Sequence, residues 1–295
     1  MNSMKITRID LHMHSTVSDG TDTPEEILKK VKQAGIGLFA LTDHDAIKGA
    51  GMIREILRED DPCFLSGAEF SCKDEEGKYH ILGYGYDPSG DSIRQVVETG
   101  HAMRMRKVRA RLELLQTSFG FVFPEEEIQA ILAMDNPGKP HIGNMMVKCG
   151  YAQSKEQAIN GFINQIHIHN VYLRPETAIR GILLSGGIPV LAHPPFGSGD
   201  ELITGGDLEK RVKRLMDYGL RGMEGFYSGY TPKLRAQTLS IAEKYGLLVT
   251  AGSDYHGKNK LVTLGDTKLD LNGKIPDGLR RFLEETGFLD QMAFA

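Results

Sequence analysis

The 295-residue chain is long enough for one large α/β barrel or two modest domains with a sizeable core. It is 40% hydrophobic and 25% charged, as globular proteins are, and its net charge of −4 argues against a protein that binds nucleic acid by bulk electrostatics. The three cysteines form no C-x-x-C pair, and the sequence has no recognisable signal peptide or bilayer-length apolar run. We therefore expect a cytoplasmic protein that does not enter the membrane.

The first motif of the chain is His12-x-His14, at the end of a β-prone run over residues 7–11. Residues two apart on a strand point to the same side, so the two imidazoles can converge on one cation. Asp19 can join them from the loop that follows. An isolated H-x-H pair can be incidental, and what favours a metal site is that later predicted strands also end in a histidine or a carboxylate.

Repeated strands and helices follow this motif. Thr23, Pro24 and Glu26 predict the capped start of a helix, and Gly35 predicts its end. Strands that alternate with helices are typical of an α/β fold. The apolar runs predict a strand, a helix, a second strand and a returning hairpin strand at residues 38–41, 47–57, 63–70 and 79–84.

The pattern becomes helical throughout from about residue 89 to residue 176. We interpret 89–176 as a helical insertion that caps the substrate site, and 1–88 with 177–295 as one metal-binding barrel. Alternation resumes after the insertion, with strands predicted at 188–192, 222–226 and 247–251 between helices at 176–184, 207–218 and 232–245.

Histidines and carboxylates stand at the ends of the predicted strands. In a β/α barrel, functional side chains lie at the carboxyl ends of the strands and in the loops that follow. This placement predicts one metal site built from distant parts of the chain. The candidate ligands are His12, His14, Asp19, His44, Glu69, His80, His193, Asp254 and His256.

The order and spacing of these residues resemble the signature of the PHP (polymerase and histidinol phosphatase) phosphoesterase family. The resemblance extends along nearly the whole chain. The motifs that carry it are His12-x-His14 with Asp19-Gly20, Thr42-Asp43-His44-Asp45, Gly67-x-Glu69 followed by His80, Ala192-His193-Pro194, and Ser253-Asp254-x-His256.

This resemblance implies a distorted (β/α)7 barrel with three divalent metal ions, Mn²⁺ first and Fe²⁺ or Zn²⁺ as alternatives. It implies a phosphoesterase in which Glu69, His193 and Asp254 are catalytic and a metal-bound hydroxide attacks phosphorus. The implied ligand sets are His12, His14, Glu69 and Asp254 for one ion, Glu69, His80 and His193 for the second, and Asp19, His44 and His256 for the third.

Basic residues of the insertion are the candidate phosphate contacts. On a helix, Arg104, Lys107 and Arg111 share one side, and arginine can bind phosphate with two parallel hydrogen bonds. A solvated helix face is the alternative interpretation. Lys139 and His141 resemble phosphate contacts of the family's nucleotide-acting branch, which includes 3′,5′-bisphosphonucleoside phosphatases and a 5′-to-3′ exoribonuclease.

The sequence therefore predicts a hydrolase of phosphate esters in small nucleotides. The substrates expected are 3′,5′-bisphosphonucleotides, mononucleotides or the 5′ ends of short oligonucleotides, and no stable protein partner is expected. One alternative is a phosphatase that acts on another monoester, such as histidinol phosphate. A second alternative is a metal-holding regulatory module without catalysis.

Other polar residues near the motifs have open roles. Asp10, Asp43 and Asp45 either orient the imidazoles or serve as helix caps and solvated side chains. Glu224 and Tyr227, near a later strand end, either reach the pocket or serve the core.

A second H-x-H pair, His167 and His169, lies inside the insertion. It is away from the strand ends, and its neighbours match no ligand motif. We therefore predict a role at the surface or at the substrate's edge for it, and not metal binding.

Overall fold

The structure, a computed structural model, describes residues 5–168, 172–198 and 201–293. Seven strands form one sheet, and they lie side by side in the order in which they occur along the chain. The strands are β1 (Ile9–Asp10), β2 (Leu38–Leu41), β3 (Cys63–Lys73), β4 (Lys78–Tyr84), β5 (Ile188–Leu191), β6 (Gly222–Tyr227) and β7 (Leu248–Gly252).

All helices but the last lie between strands along the chain, and four of them form a group in the middle of the chain. They are α1 (Pro24–Gln33), α2 (Lys48–Ile56), α3 (Asp91–Phe119), α4 (Glu125–Leu132), α5 (Lys139–Lys148), α6 (Lys155–Gly161), α7 (Pro175–Leu184), α8 (Gly205–Asp217), α9 (Pro232–Lys244) and α10 (Asp277–Glu285). Within the described ranges, none of them is both long and apolar enough to cross a membrane.

The sheet curls into a nearly closed barrel. Neighbouring strands are parallel except that β4 runs antiparallel to both β3 and β5. The Leu11 amide donates a 2.9 Å hydrogen bond to the Ala251 carbonyl, which joins the end of β1 to β7. The predicted distorted (β/α)7 barrel and its hairpin are thereby confirmed.

Local sequence explains why these elements form where they do. Every residue of β2, β5 and β7 is buried, as expected of strands covered on both faces in a parallel sheet. The predicted cap of α1 is confirmed, because Thr23 accepts from the Glu26 amide and the Glu26 carboxylate accepts from the Thr23 amide. The first strand is shorter than the predicted run at 7–11.

The helices α3–α6 form a layer of their own between β4 and α7. Helix α3 has 29 residues and is about 43 Å long at 1.5 Å per residue. Its first half packs Ile93 and Val96 into the barrel core, whereas Val108, Leu112 and Leu115 join a separate apolar cluster with α4, α5 and α6. One helix therefore ties this layer to the barrel.

Candidate metal centre

The nine side chains predicted as ligands lie around one pocket. They come from the loops after β1, β2, β5 and β7 and from the middle of β3 and β4. Eight are buried and His80 is partly exposed. Three overlapping groups of possible ligand atoms converge there, namely His12 with His14 and Asp254, His44 with Glu69 and His80, and Asp19 with His14, His44 and His256.

The first group has the spacing of atoms that share one ion. Glu69 Oε2 lies 3.4 Å from His12 Nε2 and 3.2 Å from His14 Nε2. Asp254 Oδ1 lies 3.5 Å and 3.4 Å from the same two nitrogens. Two ligands held at about 2.1 Å with bond angles of 90–110° stand about 3.0–3.4 Å apart, so these four side chains fit one metal ion.

Glu69 extends this arrangement towards β4 and β5. Its other oxygen, Oε1, lies 2.9 Å from His80 Nδ1 and 3.3 Å from His193 Nε2. The register explains the first contact, since Ser71 pairs with His80 and residues two apart on β3 share a face. A single carboxylate therefore faces two groups of imidazoles.

The third group surrounds Asp19. Its Oδ1 lies 3.3 Å from His256 Nε2 and 4.0 Å from His44 Nε2. His44 also places Nδ1 3.1 Å from Glu69 Oε2, and His14 Nδ1 lies 3.9 Å from Asp19. The implied ligand sets therefore overlap in space, because His14 and His44 each lie between two groups.

Buried polar atoms of this cluster support a fit to metal ions. Within the described part of the chain, several donors and acceptors there lack a hydrogen bond of acceptable geometry. Buried atoms of this kind are costly unless something else satisfies them, and a cation does so. They are His12 Nε2, His14 Nε2, Asp19 Oδ1, His44 Nδ1, both Glu69 oxygens, His80 Nδ1 and His193 Nδ1.

The charges of the cluster favour the metal-binding forms of its carboxylates. Burial raises the pKa of the Glu69 carboxyl, but the imidazoles of His80 and His44 outweigh it and hold that pKa well below its usual value. Burial lowers the pKa of His14, yet the adjacent carboxylates of Asp254 and Glu69 raise it to about 9. The carboxylates of the cluster are therefore already ionised, and a cation that binds there displaces protons from the neighbouring imidazoles.

Two of the predicted ligands have left-handed backbone conformations. His193 has φ 27° and Asp254 has φ 59°, a region that residues with a side chain seldom occupy. Each lies two residues past the end of its strand, β5 for His193 and β7 for Asp254. Local strain of this kind is typical of functional sites.

Asp10, Asp43 and Asp45 are buried beside the predicted ligands and accept hydrogen bonds from neighbouring groups. Asp10 accepts from Ser253 Oγ at 2.6 Å and from the Gly265 amide at 2.8 Å, and Asp43 accepts from Ser15 Oγ at 2.8 Å. Asp10 and Asp45 bind backbone amides, a hydroxyl and Arg104, whereas Asp43 accepts at 2.8 Å from Ser18 Oγ, which lies 3.5 Å from His14 Nδ1. Of the three, Asp43 alone has a contact that supports orientation of an imidazole, and the alternative of solvated side chains is wrong because all three are buried.

Glu224 and Tyr227 do contact the predicted ligands. Glu224 Oε1 lies 3.1 Å from His12 Nδ1, and Tyr227 donates a 2.9 Å hydrogen bond to Asp254 Oδ2. Lys260 also forms an ion pair with Asp254 Oδ2. The sequence signal for Glu224 and Tyr227 was only their place near a strand end, and Lys260 was not predicted.

A cavity of about 250 Å³ opens beside the cluster. Asp19, His44 and His80 form one wall, and cationic side chains from the helical layer form the other. His141 is not part of this wall, and its Nδ1 accepts a 2.9 Å hydrogen bond from the Gly138 amide. The predicted basic residues that line the cavity are Arg104, Lys107, Arg111 and Lys139. Lys78 of β4, which was not predicted, lines it as well.

His167, the described member of the second H-x-H pair, does not join this site. His167 is exposed and belongs to none of the possible ligand groups found among the described residues. His169 lies outside the described residues.

Comparisons with known proteins agree with this geometry. Residues 10–173 match the model of the PHP domain. The chain is 30% identical over 257 residues to the phosphoribosyl 1,2-cyclic phosphate 1,2-diphosphodiesterase of Eggerthella lenta, covering 84% of this chain and 94% of that protein. It is 26% identical over 261 residues to the 3′,5′-nucleoside bisphosphate phosphatase of Chromobacterium violaceum, covering 85% and 88%. A crystal structure from Bifidobacterium adolescentis, described as a metal-dependent phosphoesterase, has a TM-score of 0.78 at 28% identity and covers 94% and 96%.

Proposed function

The chain belongs to the PHP domain family, and from that membership and the site geometry we propose that it hydrolyses phosphate esters of small nucleotides. It is a metal-dependent phosphoric ester hydrolase. The favoured substrates are 3′,5′-bisphosphonucleotides, with mononucleotides and the 5′ ends of short oligonucleotides in the same class. The observation that carries this proposal is the cationic cavity beside the cluster of imidazoles and carboxylates.

We assign three metal positions, occupied by Mn²⁺, to this cluster. Mixed imidazole and carboxylate ligands suit manganese, iron and zinc. When bound, such ions stabilise the charge that develops on the phosphoryl oxygens and make a water molecule more acidic. The ligand sets are His12, His14, Glu69 and Asp254, then Glu69, His80 and His193, then Asp19, His44 and His256.

Three residues of the chain carry the catalytic arrangement. Glu69 turns one oxygen towards His12 and His14 and the other towards His80, so it would bridge two of the proposed metal positions. Asp254 points Oδ1 into the cluster while Tyr227 and Lys260 hold its Oδ2. His193 closes the pocket from the β5 side.

The helical layer supplies the opposite wall and acts as a substrate cap. Arg104, Lys107 and Arg111 are each less than 10% exposed and line the same cavity. The positive charges of these three side chains repel one another, and their burial adds a desolvation penalty to the free energy of the folded protein. A second phosphate group on the substrate offsets that repulsion with charge-assisted hydrogen bonds. A cavity of this size suits a small ligand better than a folded polymer.

The proposal is tested by a phosphate-release panel with Mn²⁺-loaded protein. The panel contains 3′,5′-bisphosphonucleotides, mononucleotides, a short 5′-phosphorylated RNA, histidinol phosphate and an aryl phosphate. We expect the highest kcat/KM for the bisphosphonucleotides. Lys107→Met raises KM for these substrates about tenfold and leaves the aryl phosphate unchanged, because the aryl ester has no second phosphate.

The control for this panel is Lys148→Met. Lys148 is also in the helical layer, but it is exposed and pairs with Glu127 away from the cavity. Hydrolysis of histidinol phosphate together with indifference to bisphosphonucleotides would contradict the proposed substrate class and favour the alternative monoester.

A further inference from the structure

Glu224 is a fully buried carboxylate between two of the proposed ligands. Its Oε1 lies 3.1 Å from His12 Nδ1, and its Oε2 accepts a 2.8 Å hydrogen bond from the His193 backbone amide. Both oxygens of one side chain are therefore used, one on the ring of a ligand after β1 and the other on the backbone of a ligand after β5.

The chemistry of these two contacts determines the tautomer of the His12 imidazole. An ionised carboxylate can only accept hydrogen bonds, so His12 Nδ1 carries the proton. Its Nε2 then faces Glu69 and Asp254 with a lone pair free for a metal ion. At His193, the bond to Glu224 holds the amide of a residue whose φ is 27°.

The fold makes specific room for this carboxylate. A side chain at Gly252 would overlap both Glu224 Oε1 and His12 Cβ. The pairing of β6 with β7 also shifts between Glu224 and Phe226, so Gly225 is an extra residue in β6. This bulge lets Glu224 and Tyr227, three residues apart, both contact predicted ligands.

We propose that Glu224 is a positioning residue that selects the His12 tautomer and holds the His12 ring and the His193 backbone in the geometry that binds metal. The inference rests on the metal assignment made above but not on the identity of the substrate. Carboxylates that accept from a metal-bound imidazole orient the ring and increase its basicity, and their loss weakens metal affinity about 10–100-fold.

Glutamine cannot replace Glu224 in this role. Two N–H donors face the side chain, and an amide offers one acceptor oxygen and one NH₂ donor. Glu224→Gln therefore keeps the size of the side chain but leaves one donor facing another donor. We expect its dissociation constant for Zn²⁺, measured by calorimetry, to rise about 10–100-fold.

Two further variants separate positioning from general stability. Gly252→Ala keeps the Glu224 carboxylate but adds a methyl group that overlaps Glu224 Oε1 and His12 Cβ, so it should push the two side chains apart and weaken Zn²⁺ binding in the same way. Tyr230→Phe removes the hydrogen bond to the Glu224 backbone carbonyl and leaves the carboxylate untouched. Its Zn²⁺ affinity should stay within about twofold of the wild type.

A measurement on the wild-type protein tests the proposed His12 tautomer even if a variant fails to fold. In Zn²⁺-loaded protein labelled with ¹⁵N-histidine, we expect His12 to show a protonated Nδ1 and a metal-bound Nε2, with the signals assigned through His12→Gln. Metal bound through Nδ1 would overturn the inference. Unchanged Zn²⁺ affinity in both Glu224→Gln and Gly252→Ala would also overturn it, whichever substrate the enzyme hydrolyses.

Discussion

The Arg104 guanidinium binds the Asp45 carboxylate in a buried ion pair. Its Nε donates at 2.8 Å and one terminal nitrogen lies 2.6 Å from the same oxygen, Asp45 Oδ2. The other oxygen, Oδ1, accepts from the Ser71 amide at 3.0 Å. Arg104 lines the cavity but is fixed by this pair, so it connects the helical layer to the loop that follows His44.

Arg104→Met should destabilise the protein as well as weaken substrate binding. It leaves Asp45 buried without its partner, which typically costs about 3–5 kcal/mol. Urea unfolding measures this change. The double variant Asp45→Asn with Arg104→Met should recover part of the loss, because asparagine tolerates the positive φ of 48° at this position and carries no charge. A double variant as unstable as Arg104→Met would contradict this account.

Lys107→Met should change the pH dependence of stability. Burial, followed by the charges of Arg104 and Arg111, lowers the pKa of Lys107 well below its usual value. As pH falls from about 10.5, Lys107 therefore takes up its proton in the unfolded chain before it does so in the folded protein. The free energy of unfolding decreases over this range, until the pH reaches the pKa of Lys107 in the folded protein. Methionine removes this loss.

The quantity to measure is the difference in unfolding free energy between Lys107→Met and the wild type, from pH 6 to pH 10. It should favour the variant most at low pH and shrink towards pH 10. Any pH dependence of metal binding is common to both proteins and cancels in the difference. A difference that does not vary with pH would show that Lys107 has an ordinary pKa.

Glu69→Gln should abolish most turnover while the fold persists. Removal of a bridging carboxylate takes away several kcal/mol of electrostatic stabilisation, so kcat should fall about 10³-fold. Phosphate release measures the loss of turnover, and circular dichroism shows whether the fold persists. Glu243→Gln, at an exposed position on α9, is the matched control. Full activity of the Glu69 variant would rule out the bridging role.

Lys155→Met should loosen the contact between the helical layer and the metal centre. Lys155 Nζ donates to the Asn259 carbonyl at 2.9 Å, and the Asn259 side-chain amide donates to the Asp19 carbonyl at 2.8 Å. Loss of the Lys155–Asn259 hydrogen bond should weaken this contact by about 1 kcal/mol. KM should therefore rise about fivefold, and amide exchange in α6 should become faster. Lys148→Met should do neither, since its partner Glu127 lies within the helical layer. Equal exchange rates in α6 of both variants would refute the link.

Much of the fold could be predicted from the sequence, because its signals are local. The cap at Thr23 and Glu26, the buried run at 38–41 and the hairpin after Lys73 each depend on neighbouring residues. Helix α10 was not predicted. Its buried Leu279, Phe282 and Leu283 lie in the main core cluster and the helix packs against β7.

What the sequence determined by itself was the set of candidate ligands. Strand ends of a β/α barrel meet at one rim, so a histidine or carboxylate at each end can be placed near the others without knowledge of any contact. Tertiary structure alone decided which atoms pair. His44 lies between two groups, Arg104 is held by Asp45, and the bulge in β6 turns Glu224 towards His12. The physical reason is that the alternation of side chains along a strand fixes only the face of the sheet on which each side chain lies. Distances of about 3 Å between atoms depend on strand register, bulges and left-handed turns, which long-range packing sets.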